Sequence, residues 1–194
     1  MSLRFEVGCD PESEEFKEYW SRNGYSQEFK GFNHDRLLEM LVNGIKGHLV
    51  QLIVWRENGK IVGHAVWHES NTEEHRKGSP RDREDREGLE KLLGGKKNFV
   101  ELHEWWLIEK HRGKSCGNKF LDFFEAHMKS KAYVDLVFYA DHPAALAAFR
   151  KHGYKEGGYV EGSKEYVFYH SLEESHQNKI KKREQKSQPT SNVE

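Results

Sequence analysis

The chain has 194 residues, and its 31 Lys plus Arg against 32 Asp plus Glu leave a formal net charge of −1, so bulk charge gives no reason to expect a nucleic acid or an anionic membrane as partner. Hydrophobic residues at 36% and aromatics at 12% suffice for one packed domain, while apolar runs such as Leu49 to Trp55 fall far short of the roughly 20 residues that span a bilayer. Cys9 and Cys116 alone allow neither a disulfide framework nor a Cys-based zinc site, and with no apolar leader after Met1 a cytoplasmic location is the default.

Leu3, Phe5 and Val7 alternate as a first strand, and Asp10-Pro11 reads as an N-cap followed by Pro at the first helical position. The helix so begun runs to about Arg22, with Phe16, Tyr19 and Trp20 on one face, and a second follows Asn33 with Leu38, Leu41, Val42 and Ile45 at helical spacing. Two apolar runs, 49–56 and 60–68, flank Asn58-Gly59, the dipeptide best suited to a two-residue hairpin whose central residues both need positive φ. Residues 69–98 then carry eight acidic and eight basic residues with almost no apolar ones, which predicts an inserted loop or lid.

Beyond the insertion, a long strand at 99–108 passes through a Gly-containing turn into a helix of about 116–131 carrying Phe120, Phe124 and Met128. A strand at 133–140, a helix opened by Pro143 and stopped by Gly153, and short strands at 155–161 and 164–170 complete the pattern. The expected fold class is α/β, a mixed sheet with helices on its faces in the order β-α-α-β-β-β-α-β-α-β-β, as one domain over residues 1–171. Residues 172–194 lack aromatics and end in a Lys-rich polar stretch, which predicts a frayed, disordered tail.

The segment Glu109 to Asn118 lies between a strand and a helix, where first-turn N–H groups and small residues suit an anion such as a phosphate. Lys114-Ser115 is not a P-loop, because the required upstream Gly is Ile108; His103-Glu104 is not a zinc-protease motif, because its last position is Leu107. Gly113-Lys114-Ser115-Cys116-Gly117 does spell a nucleophile elbow, so a serine hydrolase with Ser115, Asp141 and His152 or His142 is an alternative. The 12 histidines show no shared ligand spacing, and His64 and His68 would lie about 13 Å apart on a strand, so no metal is expected.

The stretch Val100 to Gly117 resembles the acetyl-CoA motif of GNAT superfamily N-acetyltransferases, whose signature is R/Q-x-x-G-x-G/A. Ala144 to Tyr154 resembles that family's second motif, A-x-x-x-Y-x-x-x-G-F, and Ile61-Val62-Gly63-His64-Ala65 resembles its third strand. The resemblance implies acetyl-CoA as donor, with its pyrophosphate on the backbone of Arg112, Gly113, Lys114, Ser115, Cys116, Gly117 and Asn118, and its pantetheine arm beside Trp105 and Leu107. It also implies direct transfer to an amine of a small molecule or peptide, and a homodimer. Three positions depart from the pattern: Ser115 replaces the middle Gly, His142 stands where Asn usually precedes the fourth helix, and Phe149 replaces the Tyr that often protonates the departing thiolate.

Amine acetylation needs a neutral nucleophile, and candidates for the base are Glu101, His103 and Glu104, with Glu104 favoured. Strict alternation would set Glu104 on the face opposite Glu101 and His103. Tyr154 or Tyr139 could replace the missing acid, and Cys116 reads as packing; the resemblance puts Trp20, Tyr25, Phe29 and Phe32 where the family builds its acceptor pocket and so implies an aromatic acceptor wall, while helix packing accounts for most of them equally well. A non-catalytic acyl-CoA-binding module is the rival from another class.

Overall fold

The computed structural model describes residues 3–22, 33–75, 82–113 and 115–173. Seven strands form one sheet in the order β1-β2-β3-β4-β5-β7-β6: β1 Leu3–Val7, β2 Gln51–Glu57, β3 Lys60–Asn71, β4 Asn98–Leu107, β5 Asp135–Ala140, β6 Lys155–Val160 and β7 Glu165–Ser171. Every neighbouring pair is antiparallel except β4 and β5. Five helices among the described residues complete the mixed α/β fold: α1 Glu14–Arg22, α2 His34–Lys46, α3 Asp82–Leu93, α4 Cys116–Ser130 and α5 Pro143–His152.

Local chemistry accounts for most of these boundaries. Asn58 and Gly59 take φ of 51° and 79°, and Glu57 pairs with Lys60 across them, the hairpin that Asn-Gly predicts. Four residues on, β3 passes so close to β4 that a Cβ on Gly63 would lie 2.6 Å from the Trp106 carbonyl oxygen. Asn33 caps α2 by accepting from the Arg36 N–H at 3.0 Å. The first helix departs from expectation, since Asp10 Oδ1 accepts from the Glu12 N–H within a turn and Ser13 Oγ accepts from the Phe16 N–H. The helix therefore begins about one turn later, at Glu14.

The charged insertion is also not the structureless lid that its composition predicts. β3 continues to Asn71, and residues 82–93 form α3. Three leucines at helical spacing, Leu89, Leu92 and Leu93, are buried there in a small core with Phe99, Val137, Val167 and Tyr169. The rest of the helix is polar because only one narrow stripe meets the sheet. At the other end of the domain Leu172 is 4% exposed and packs into the main core, one residue past the expected boundary. The remainder of the expected tail, 174–194, lies outside the described residues, as do Tyr25, Phe29 and Phe32.

Helices α4 and α5 cover one face of the sheet, where Phe120, Phe124 and Phe149 meet Trp55, Trp67, Trp105 and Phe138. The opposite face is shared. There α1 packs against β3, and α3 against β6 and β7, leaving the strip over β4 between the two sets.

Candidate active site

Two irregularities in β4 create the site. Its parallel ladder with β5 pairs only Val100, Glu101 and Leu102, with Leu136, Val137 and Phe138, so the two strands part after Leu102. On its other side, Trp67 pairs with Leu102 and Val66 with Glu104, which makes His103 the extra residue of a β-bulge. The bulge resets the alternation. Glu101 pairs with His68 and Glu104 with Val66, two residues apart on β3, so both carboxylates lie on the same face, which corrects the opposite placement that strict alternation predicts.

Glu104 is 27% exposed at this opening and binds His64 Nε2 at 2.8 Å through Oε1. His64 is fully buried, and its Nδ1 lies 2.7 Å from the Tyr19 hydroxyl. An ionised carboxylate can only accept, so a neutral imidazole here carries its proton on Nε2 and accepts the Tyr19 O–H at Nδ1. Phe16, Tyr19, Trp20 and Trp106 surround the ring, with centroids 5.3 to 6.3 Å from its own. Sequence reasoning weighed His64 only as a metal ligand. The missed signal was a polar residue inside the apolar run Ile61 to Trp67, which requires a buried partner.

Glu101 heads a second cluster of the same kind. His75 Nδ1 lies 3.2 Å from its carboxylate and His68 Nε2 3.6 Å away, while His75 Nε2 meets the Tyr139 hydroxyl at 2.8 Å. Burial would raise the Glu101 carboxyl, but the His103 and His75 contacts and the charges of His75 and His68 outweigh it and hold it well below the usual carboxylate range. Burial in turn keeps His68 low. His103 is pulled up first by Glu101, but its side chain is 62% exposed and water screens that attraction. Glu101 is only 5% exposed, so of the two carboxylates Glu104 is the one open to a ligand.

The sign of the Glu101 shift gives a stability prediction. A folded value below the ordinary 4.5 means that the native state binds fewer protons than the unfolded chain, so this contribution is complete above about pH 5 and is lost as pH falls further. Glu101→Gln should therefore flatten the decline in urea stability between about pH 5 and 3 relative to the parent protein. An unchanged slope would show that Glu101 is not held ionised.

After β4, a 3₁₀ turn at Glu109–His111 leads to α4. Arg112 Nε–H donates to the Leu107 carbonyl at 2.8 Å, with its guanidinium 5.6 Å above the Trp106 ring. Gly113 and Ser115 take φ of 74° and 58°; Lys114 lies outside the described residues. The first α4 turn bonds from the Lys119 N–H to the Ser115 carbonyl, so helical geometry gives the Gly117 and Asn118 N–H groups no acceptor within the helix. The Ser115 hydroxyl makes no capping bond, and buried Asn118 Oδ1 has no partner. A Cβ on Gly117 would lie 3.1 Å from Trp105 Cη2, so both the turn and the ring depend on the missing side chain. First-turn N–H groups without an acceptor inside the helix and a glycine-lined backbone suit a phosphate-bearing ligand.

The other expected site residues are placed as follows. The Trp105 ring contacts Phe120 and Phe149, and Leu107 is buried, so beside the opening these two present backbone. Cys116 is buried and reduced. His142 accepts from the Ala144 N–H and caps α5, and Phe149 is 1% exposed within the main core. Tyr154 is also buried, and its hydroxyl donates to Glu125 at 2.6 Å. Burial and the Glu125 charge push its ionisation up, and it is not gathered with Glu101, His103 and Glu104, contrary to expectation. The hydrolase set is not assembled either. His142 bonds the Ala144 N–H, while His152 contacts the Ala148 carbonyl and Asp122. Among the described residues no group of three or more His, Cys, Asp or Glu is arranged to hold a metal ion, and no helix is long and apolar enough to cross a membrane.

A family model described as "Acetyltransferase (GNAT) family" matches residues 10–154. No curated protein sequence matches. Among solved structures, a Drosophila melanogaster polyamine N-acetyltransferase that forms N-acetylagmatine superposes with a TM-score of 0.61 at 12% identity, covering 88% of this chain and 100% of that one. Thermoplasma acidophilum PaiA N-acetyltransferase in complex with coenzyme A gives 0.57 at 13%, covering 88% and 99%. An N-acetyltransferase from Staphylococcus aureus Mu50 gives 0.52 at 16%, covering 89% and 99%.

Proposed function

The chain belongs to the acetyltransferase (GNAT) family, and from that premise we propose that it transfers the acetyl group of acetyl-CoA directly to a primary amine, with Glu104 as general base. The observation that carries this reading is the Glu104 carboxylate, 27% exposed where β4 and β5 part and hydrogen-bonded to His64.

Acetyl-CoA, when bound, supplies an activated thioester carbonyl. Residues 112–118 would hold its phosphates through the backbone turn, and the β4 edge from His103 onward, past the end of its β5 ladder, would bind the arm. An ammonium of pKa about 10.4 costs about 4 to 5 kcal/mol to deprotonate at pH 7. Glu104 would take the ammonium proton first and so free the nitrogen lone pair for attack on the thioester carbonyl; as the C–S bond breaks, the second N–H proton would pass through water to the departing thiolate. The acceptor is an amine of a small molecule or peptide. A second reading, an acyl-CoA-binding module without turnover, is favoured by one observation: Phe149 is buried and the Tyr154 hydroxyl is bound to Glu125, which takes the expected Tyr154 away from the role of thiolate acid.

Calorimetric titration with acetyl-CoA tests the shared premise. Binding near micromolar affinity, about −8 kcal/mol, is expected for the parent protein and should be lost in Gly117→Trp, whose indole would have to displace Trp105. Absence of binding by the parent protein would overturn both readings. Release of CoA thiol in the presence of amines then separates transferase from module.

A further inference from the structure

The Tyr19–His64–Glu104 chain joins three elements that are distant in sequence. Tyr19 sits on α1, His64 on β3 and Glu104 on β4, linked at 2.7 and 2.8 Å. Only its last member is open to solvent: Tyr19 is 2% exposed and His64 0%, against 27% for the Glu104 side chain. A hydroxyl and an imidazole are costly to bury, and aromatic packing alone would be served by another apolar residue. Their directionality is specific. Because an ionised Glu104 can only accept, a neutral imidazole places its proton on Nε2 toward Glu104 and leaves Nδ1 to accept the Tyr19 O–H.

We infer that Tyr19 and His64 are a positioning pair that holds Glu104 in one orientation and in its ionised form, an inference that rests on the reading of Glu104 as the base. Glu104 alone meets the acceptor; the pair acts through it. Without the Tyr19 hydroxyl, the imidazole is free to carry its proton on Nδ1. Its Nε2 lone pair then faces Glu104 and favours the protonated, catalytically silent carboxyl. Among the described residues, the groups facing this chain include His103, Glu101 and Trp106 on β4, the Arg112 guanidinium over Trp106, and Val54 opposite His64 on β2. His103 feels the charges of both Glu101 and Glu104, so its own titration is followed in the same spectra.

The test has two arms. The first needs neither acceptor nor acetyl-CoA: long-range ¹H–¹⁵N spectra of the histidine rings, with His64 assigned by His64→Gln. A neutral His64 protonated on Nε2 is expected, moving toward a mixture of tautomers in Tyr19→Phe. A proton on Nδ1, or an imidazolium at pH 7, overturns the inference. The second arm follows CoA release from acetyl-CoA with putrescine, agmatine, lysine methyl ester and benzylamine as functions of pH. In Tyr19→Phe and His64→Leu the acid limb of kcat should move up by about one pH unit, a tenfold loss of ionised base below it, at unchanged KM for acetyl-CoA. His64→Gln, whose amide N–H takes the place of Nε2–H, should keep the limb. A structural role alone would lower thermal stability without moving the limb, and that result overturns the inference. If His64→Leu does not fold, Tyr19→Phe decides. If the parent protein acetylates none of these amines, the functional reading fails for them, and the tautomer spectra still decide the pair.

Discussion

Glu104→Gln should lower kcat for amine acetylation by about 10² to 10⁴ at pH 7, the usual worth of a positioned base, while KM for acetyl-CoA stays within about twofold. The substitution preserves volume, and the amide oxygen can still accept the His64 Nε2–H that Glu104 accepts now at 2.8 Å, so folding is not the variable. What is lost is the ability to take a proton. The acid limb of the kcat profile should vanish with it, since the carboxyl proposed to accept the proton is gone. Glu101→Gln is the matched control: its carboxylate is 5% exposed and enclosed by His68, His75 and His103, so its rate effect should be small while its effect on acid stability is large. Steady-state CoA release across pH compares the two, and equal rate losses would dismiss Glu104 as the base.

The fold was legible where a residue's local chemistry and its tertiary role coincide. Asn58-Gly59, the Asn33 cap, Pro143 and Gly153 each act within a few residues of themselves, and each element they bound lies where the sequence puts it. The helix α3 was hidden because only Leu89, Leu92 and Leu93 meet the sheet, and a three-residue stripe disappears among sixteen charges. The site was legible by type but not by arrangement. Glu101, His103 and Glu104 were readable as candidates, yet which of them share a face depends on the bulge at His103, and a bulge is set by the pairing of β3 with β4 rather than by β4's own spelling. Tyr19 and His75 could not be found from sequence, since each matters only through a histidine or carboxylate brought to it by the sheet.

Phe120→Ala should cost about 3 to 5 kcal/mol of stability, the range for removing a fully buried aromatic ring. Phe120 is 0% exposed and stacks on Trp55 at 4.9 Å and Phe124 at 5.7 Å, with Trp105 at 5.5 Å and Phe5 at 5.9 Å. Large rigid rings cannot collapse into the space it leaves, so the cavity term persists in addition to the lost transfer energy. Against a typical domain stability of 5 to 15 kcal/mol this is a large fraction, to be read as a lower urea midpoint at unchanged m-value. The loss should also reach the ligand site. Trp105 lies between Phe120 and the α4 turn, with Cη2 only 3.1 Å from where a Gly117 Cβ would sit, so a ring loosened on its Phe120 side can rotate into the turn. Acetyl-CoA affinity should therefore fall in Phe120→Ala by more than in Phe168→Ala, which removes an equally buried ring that packs on Phe149. Equal affinities in the two variants, at matched folded fraction, would show that the aromatic stack supports the fold without shaping the turn.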